Sequence, residues 1–171
     1  MRRTDLVPDC GSCAALCCVS TSFERSTDFA CDKPAGERCQ HLTSGDRCSI
    51  HAARAHRGFR GCILFDCYGA GQRVTRAFGA EPSLVRDRTF LAACDLHELL
   101  FMLTEATSLC PPEHSDLRGQ LDAEIAALDR IADPEPAAAD EHRTIAHALL
   151  RRVGTALGGR RIGTHLPVIA R

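Results

Sequence analysis

Nine of the eleven cysteines in this 171-residue chain stand within its first 67 residues, and only Cys94 and Cys110 follow. A segment so dense in thiols and so poor in Val, Ile and Leu has little with which to build an apolar core, so staples are expected to hold it together. Disulfides and metal are the two candidates. A disulfide framework needs an oxidising compartment and usually an even count. Here the count is odd, and MRRTDLVPDCGSC sets its arginines before no apolar run of the kind a secretion signal needs. Bound metal in a cytoplasmic protein is therefore the expectation.

Spacing sharpens it. Cys10-x2-Cys13-x3-Cys17-Cys18 packs four thiols into nine residues. On one helix, at about 100° per residue, all four face one way, and their thiolates repel unless a cation sits among them. If the stretch is extended instead, Cys17 and Cys18 point to opposite sides and serve different metal ions, or different irons of one cluster. The second group is Cys39-x8-Cys48-x13-Cys62-x4-Cys67, in which Gly36, Gly45, Gly58 and Gly61 mark turns that wrap backbone round an ion. Three familiar arrangements fail. A CxxxCxxC radical-SAM motif needs a cysteine where Ser20 stands, a ferredoxin run needs one at Leu16, and no His pair follows Cys13 at the distance of a Cys2His2 finger.

The pattern of Cys10, Cys13, Cys17 and Cys18, then Cys39 with Leu42, Cys48-Ser49-Ile50-His51, Arg60-Gly61-Cys62 and Phe65-Asp66-Cys67, resembles the CxxCxxxCC (YkgJ-type) zinc- or iron-chelating domain family. The resemblance covers roughly residues 9–70 and implies that Cys10, Cys13, Cys17, Cys18, Cys39, Cys48, Cys62 and Cys67 bind metal. It departs from the family at His51, where Tyr is more usual, so His51 is an extra ligand or a hydrogen-bond partner. The stretch from DFACDKPAG to FDCYGAGQRV also resembles the amino-terminal region of some actinobacterial pentapeptide-repeat proteins, although no A(D/N)LxxA run follows. A related cysteine cluster in a flagellin lysine methylase implies that an iron–sulfur centre suits such a pattern. Cys31 lies outside the eight and is expected to be a spare thiol.

The second half carries helical periodicity. SLVRDRTFLAACDLHELLFMLTEATS, from about Ser83 to Ser108, is apolar on too many faces for a surface helix and is expected at the centre. Leu117, Leu121, Ile125, Leu128 and Ile131 make the stripe of a second helix, closed by Asp133-Pro134-Glu135-Pro136. Ile145, Leu149, Val153 and Ala156 make that of a third, from about Ala137 to Leu157, stopped by Gly158-Gly159. The fold class is thus mainly α: an irregular, metal-stapled, cysteine-rich module with short helices over 1–80, packed on or joined to a three-helix antiparallel bundle over 81–158, with an irregular tail over 159–171. His97-Glu98 lacks the second histidine of a zincin, Phe101 standing in its place. Gly69-x-Gly71 is a turn, Cys94 and Cys110 are small hydrophobes, and His142 and His147 are solvated.

Charge narrows the function. Residues 1–80 carry 11 Lys and Arg against 8 Asp and Glu, and residues 81–171 carry 10 against 14, too balanced for a phosphate-backbone binder. With no Trp and one Tyr there is no stacking platform for nucleic acid, and no stretch approaches the eighteen apolar residues of a membrane span. Eight cysteines make two four-thiolate sites or one polynuclear centre, and residue types alone leave zinc and iron–sulfur both open, with iron–sulfur favoured by the adjacent Cys17 and Cys18. Arg25, Arg38, Arg47, Arg54, Arg57 and Arg60 offset the thiolate charge by donating to sulfur, or else form a solvated face. Three functions fit: a structural or regulatory metal module whose helical half binds a protein partner, an iron–sulfur enzyme of redox or methyl-transfer type, and a metal store or sensor.

Overall fold

The computed structural model describes residues 3–131 and 136–158. Among them the chain is mainly helical and no β-strand forms. Six α-helices follow one another: α1 Leu16–Ser20, α2 Gly61–Leu64, α3 Ala70–Phe78, α4 Leu84–Leu109, α5 Ser115–Asp129 and α6 Pro136–Ala156. Their order mirrors the composition, with short helices and 3-10 turns among the cysteines and long helices after them.

The 26-residue α4 starts at extended Ser83, whose hydroxyl accepts the Arg86 N–H at 3.4 Å as an N-cap. It is central, as its apolar density predicts. One side packs on α5 and α6, which also pack on each other, and the other meets α1 and α3. Leu99, Leu100, Leu103, Leu121, Leu128 and Val153 fill the first core and are almost wholly buried. Each such side chain contributes about 1.5–3 kcal/mol of apolar burial. A second core, formed by Ala14, Leu16, Ala70, Val74, Phe90, Ala93 and Cys94, joins α4 to the cysteine-rich part and has Cys13, Cys17 and Cys67 packed against it.

Two expectations for the long helices change. On α6 the buried positions are Ala146, Leu149 and Val153, while Ile145 is 40% exposed. An i, i+4, i+8 row drifts about 40° every four residues, and the face that meets the core follows i, i+3, i+7 instead. His142 is not merely solvated, because its Nδ1 lies 2.6 Å from Oε1 of Glu124, a carboxylate that α5 buries. The Asp133 to Glu135 turn and the 159–171 tail lie outside the described residues.

Sequence reading also missed Arg86. Its side chain is fully buried, donating from Nη1 to the carbonyls of Ala80 (2.6 Å) and Glu81 (2.8 Å) and pairing with Asp87 Oδ1 at 3.1 Å. One cation thereby satisfies the α3–α4 connection. No helix among the described residues is long and apolar enough to cross a membrane.

Candidate metal centre

The first cysteine run is not one helix. Cys10–Ser12 is a 3-10 turn whose first donor is capped by Asp9, Cys13 is extended, and Ala15 takes the left-handed conformation (φ 53°) before α1 begins. The four thiols therefore do not share a helix face, contrary to that alternative. Cys17 and Cys18 sit together on α1, and their sulfurs are 3.9 Å apart.

Seven of the eight expected ligands, Cys10, Cys13, Cys17, Cys18, Cys39, Cys48 and Cys62, line one cavity of about 330 Å³. Cys67 stands apart from that lining, held instead at the amino end of α3. Its sulfur accepts the N–H groups of Gly69 and Gly71, and a methyl group on Gly71 would stand 2.8 Å from Cys13 Sγ and 3.7 Å from Cys67 Sγ. A side chain at position 71 would press on Cys13 Sγ, with Cys67 Sγ at ordinary contact distance. Gly69 takes φ +80°, with the Asp5 carbonyl where a side chain would begin. The Gly69-x-Gly71 turn is a sulfur seat.

The rest of the cavity is built by loops around an aromatic cluster that composition did not reveal. Phe23 stacks on Phe29 at 4.3 Å between ring centroids, and Phe59 meets both Phe23 and His41 edge-on. The Phe29 ring occupies the space a side chain at Gly61 would need. Phe23 and Lys33 form an antiparallel bridge, as do Leu42 and Cys48. The Cys39 N–H donates to the Cys18 carbonyl at 2.9 Å, which ties the second cysteine group to α1.

The cations divide differently from expectation. Arg47 donates to the Cys10 and Gly11 carbonyls, both at 2.9 Å, and Arg54 donates to those of His51 (2.9 Å) and Cys62 (2.8 Å). Arg38 reaches Thr43 O and Asp46 Oδ1. These arginines brace the backbone of the cysteine loops. Lys33, the chain's single lysine, is 6% exposed and donates to the carbonyls of Val19 (3.0 Å), Thr21 (2.5 Å) and Pro34 (3.1 Å). No sequence signal marked it beyond its being alone.

Burial pushes the thiols of Cys10, Cys39 and Cys67 up and that of Cys62 to about 12. Cys18 moves the other way, to about 7, because of its hydrogen bond with Cys17 and, against the burial that raises it, the positive charges of Lys33, Arg54 and Arg38. Cys17 is raised well above its ordinary value by that hydrogen bond and by burial. Of the adjacent pair, Cys18 is thus the favoured thiolate.

The donor set suits a thiophilic ion: seven thiols line the cavity, together with His41 and His51. The side chains are not drawn together, however, and among the described residues no group of three or more His, Cys, Asp or Glu is placed to hold a metal ion. Cys31 is outside the cavity and accepts a contact from Gln40 at 3.4 Å. Cys94 and Cys110 are buried in the two apolar cores. His97 is buried, with Nδ1 2.6 Å from the Tyr68 carbonyl.

No family model matches the chain, and no solved structure does. A relative in Bacillus subtilis (strain 168), the uncharacterized protein YybG, is 37% identical over 151 residues, which take in 81% of this chain and 54% of the relative. The chain spans about half the length of the curated relative it matches.

Proposed function

We propose that this chain is a member of the CxxCxxxCC family and a metal-binding module. It holds an iron–sulfur or zinc centre through Cys10, Cys13, Cys17, Cys18, Cys39, Cys48, Cys62 and Cys67, and acts as a structural or regulatory unit. The observation that carries this reading is the cavity wall: seven of these thiols, distant in sequence, face one space. Thiols raised by burial stay protonated, and their convergence becomes favourable only when a cation replaces their protons. In this reading the ion staples the loops over residues 9–70, and α4, α5 and α6 form an antiparallel bundle that serves as the face for a protein partner.

The test is the iron, zinc and acid-labile sulfide content of protein purified without oxygen, with its visible spectrum. Iron and sulfide in matching amounts, with charge-transfer absorption, support a cluster. Colourless protein with stoichiometric zinc supports the structural ion. Absence of both metals, together with a fold indifferent to chelators, would refute the reading. The enzyme alternative draws on a second observation, since Phe23, Phe29, Phe59, Leu42 and Ile50 give the cavity an apolar wall beyond the thiols, space a substrate could share with a cluster.

A further inference from the structure

One face of α3 lines a second cavity. Gln72, Arg73 and Arg76 stand at i, i+1 and i+4 on that helix, and the space of about 530 Å³ beside them is closed by the amino-terminal segment, by Asp129 of α5 and by His97 of α4. Among the described residues it shares no wall with the cysteine cavity.

Its walls are fixed by contacts already spent. Leu6 is buried in the first core, and Gln72 clamps the segment beyond it, receiving the Asp9 N–H on Oε1 at 3.1 Å and donating from Nε2 to the Val7 carbonyl at 2.8 Å. Arg73 donates from Nη2 to the carbonyls of Asp129 (3.3 Å) and Ile131 (3.2 Å) and pairs with the Asp129 carboxylate at 3.7 Å, so its charge is committed to the end of α5.

Two groups are left to meet an occupant. His97 is 2% exposed, and its Nδ1 lies 2.6 Å from the Tyr68 carbonyl. A carbonyl only accepts, so Nδ1 carries the proton and Nε2 is an acceptor that has no hydrogen bond among the described residues. An unusual turn holds this tautomer: Tyr68 is in the left-handed region (φ 47°), kept there by its N–H on Asp66 Oδ1 at 2.7 Å and by its ring stacked on Phe101. Burial, then Arg73, keep the ring below its ordinary 6.5 and hence neutral near pH 7. The second group is Arg76, which is exposed and makes no hydrogen bond or ion pair among the described residues. Asp5 and Asp9 bring negative charge to the same lining.

We infer that this cavity binds a free α-amino acid, whose carboxylate pairs with Arg76 and whose ammonium donates to His97 Nε2 and is balanced by Asp5 and Asp9. An uncommitted cation, an acceptor nitrogen and two carboxylates in one lining favour a molecule that carries both signs. A simple anion would meet Arg76 but be repelled by the carboxylates, and a simple amine would leave Arg76 unpaired. The cavity volume suits a small ligand, and a buried acceptor nitrogen gains from a donor placed against it.

The experiment uses the full chain labelled with 15N-histidine. Long-range proton–nitrogen correlation resolves the histidine rings, and the signals of His97 are those lost in His97→Gln. The common L-amino acids are added singly, with acetate and ethylamine as controls that carry one charge each. At least one amino acid should shift the His97 Nε2 resonance saturably, and neither control should. Arg76→Ala, at an exposed position and with circular dichroism unchanged, should weaken that binding about tenfold or more, the worth of a charge-assisted hydrogen bond.

Acetate producing the same saturable shift would make the cavity a plain anion site, and binding indifferent to Arg76→Ala would put the ligand elsewhere; either result overturns the inference. No shift with any amino acid would mean that solvent alone fills the cavity, which overturns it as well. None of these outcomes depends on whether the cysteine cavity holds metal, so the two readings stand or fall separately.

Discussion

Replacing Gly71 with alanine tests the sulfur seat on α3 directly. On helix propensity alone the change should stabilise, by up to about 1 kcal/mol. The structure reverses the sign, because the new methyl would stand 2.8 Å from Cys13 Sγ, well inside van der Waals contact. Cys13 must rotate away from packing in the second core or α3 must shift, and overpacking of this kind costs about 1–3 kcal/mol. The expected net loss is about 1–2 kcal/mol, a fall of about 2–8 °C in melting temperature for a chain of this size. Gly119→Ala supplies the comparison, since Gly119 lies within α5 and a methyl there meets nothing within 4 Å. That variant should melt about 2–4 °C higher. Both are read by thermal melts followed at 222 nm, with metal content measured in parallel. If Gly71→Ala gained as much stability as Gly119→Ala and kept its metal, Cys13 would not be seated on α3, and the reasoning about this glycine would fail.

Arg86→Ala should lose about 3 kcal/mol in urea unfolding, because it strands the Ala80 and Glu81 carbonyls and the Asp87 carboxylate; a loss below about 1 kcal/mol would mean water replaces it freely. Leu121→Ala, at a wholly buried position between the long helices, should cost about 3 kcal/mol, and a neutral result would move α5 off the core. Lys33→Met should cost about 1–2 kcal/mol by taking the donor from the Thr21 carbonyl and the second donor from those of Val19 and Pro34, which keep the Gly36 and Glu37 N–H groups, with the loss confined to the cysteine loops in hydrogen exchange; protection lost first from α5 would contradict that placement. Burial, then the nearby Arg73, lower His97 below its ordinary 6.5, opposed by the Tyr68 carbonyl and Asp129. The unfolded chain therefore binds this proton first, so the His97 contribution is whole above about pH 6.5 and is lost as pH falls through the folded value. His97→Gln should flatten the stability profile below pH 6.5, and an unchanged slope would show that His97 titrates normally.

The long helices were legible because their signals are local. Leu117, Leu121 and Leu128 fall on one face by spacing alone, and the apolar excess of residues 84–109 places α4 at the centre before any contact is known. Where spacing left a choice, tertiary contact made it, as at Ile145, which a four-residue row includes and the α4–α6 contact leaves outside. The cysteine part was legible in its donor types and opaque in its shape. Its path depends on Ala15 in a left-handed turn, on Phe29 lying over Gly61 and on Lys33 reaching back to α1, none of which has a periodic signature.

By itself, then, the sequence determined a helical second half and a thiol-rich first half short of aliphatic side chains, since both follow from residue type and spacing along a short stretch of chain. Only the tertiary structure decided that Cys13 and Cys67 both come up to Gly71, that Lys33 reaches back to the Val19 and Thr21 carbonyls, and that Arg86 is buried. The physical reason is that these are meetings of residues from different segments. They depend on where the loops close and which backbone carbonyls need donors once water is excluded, quantities that exist only when the whole chain is packed.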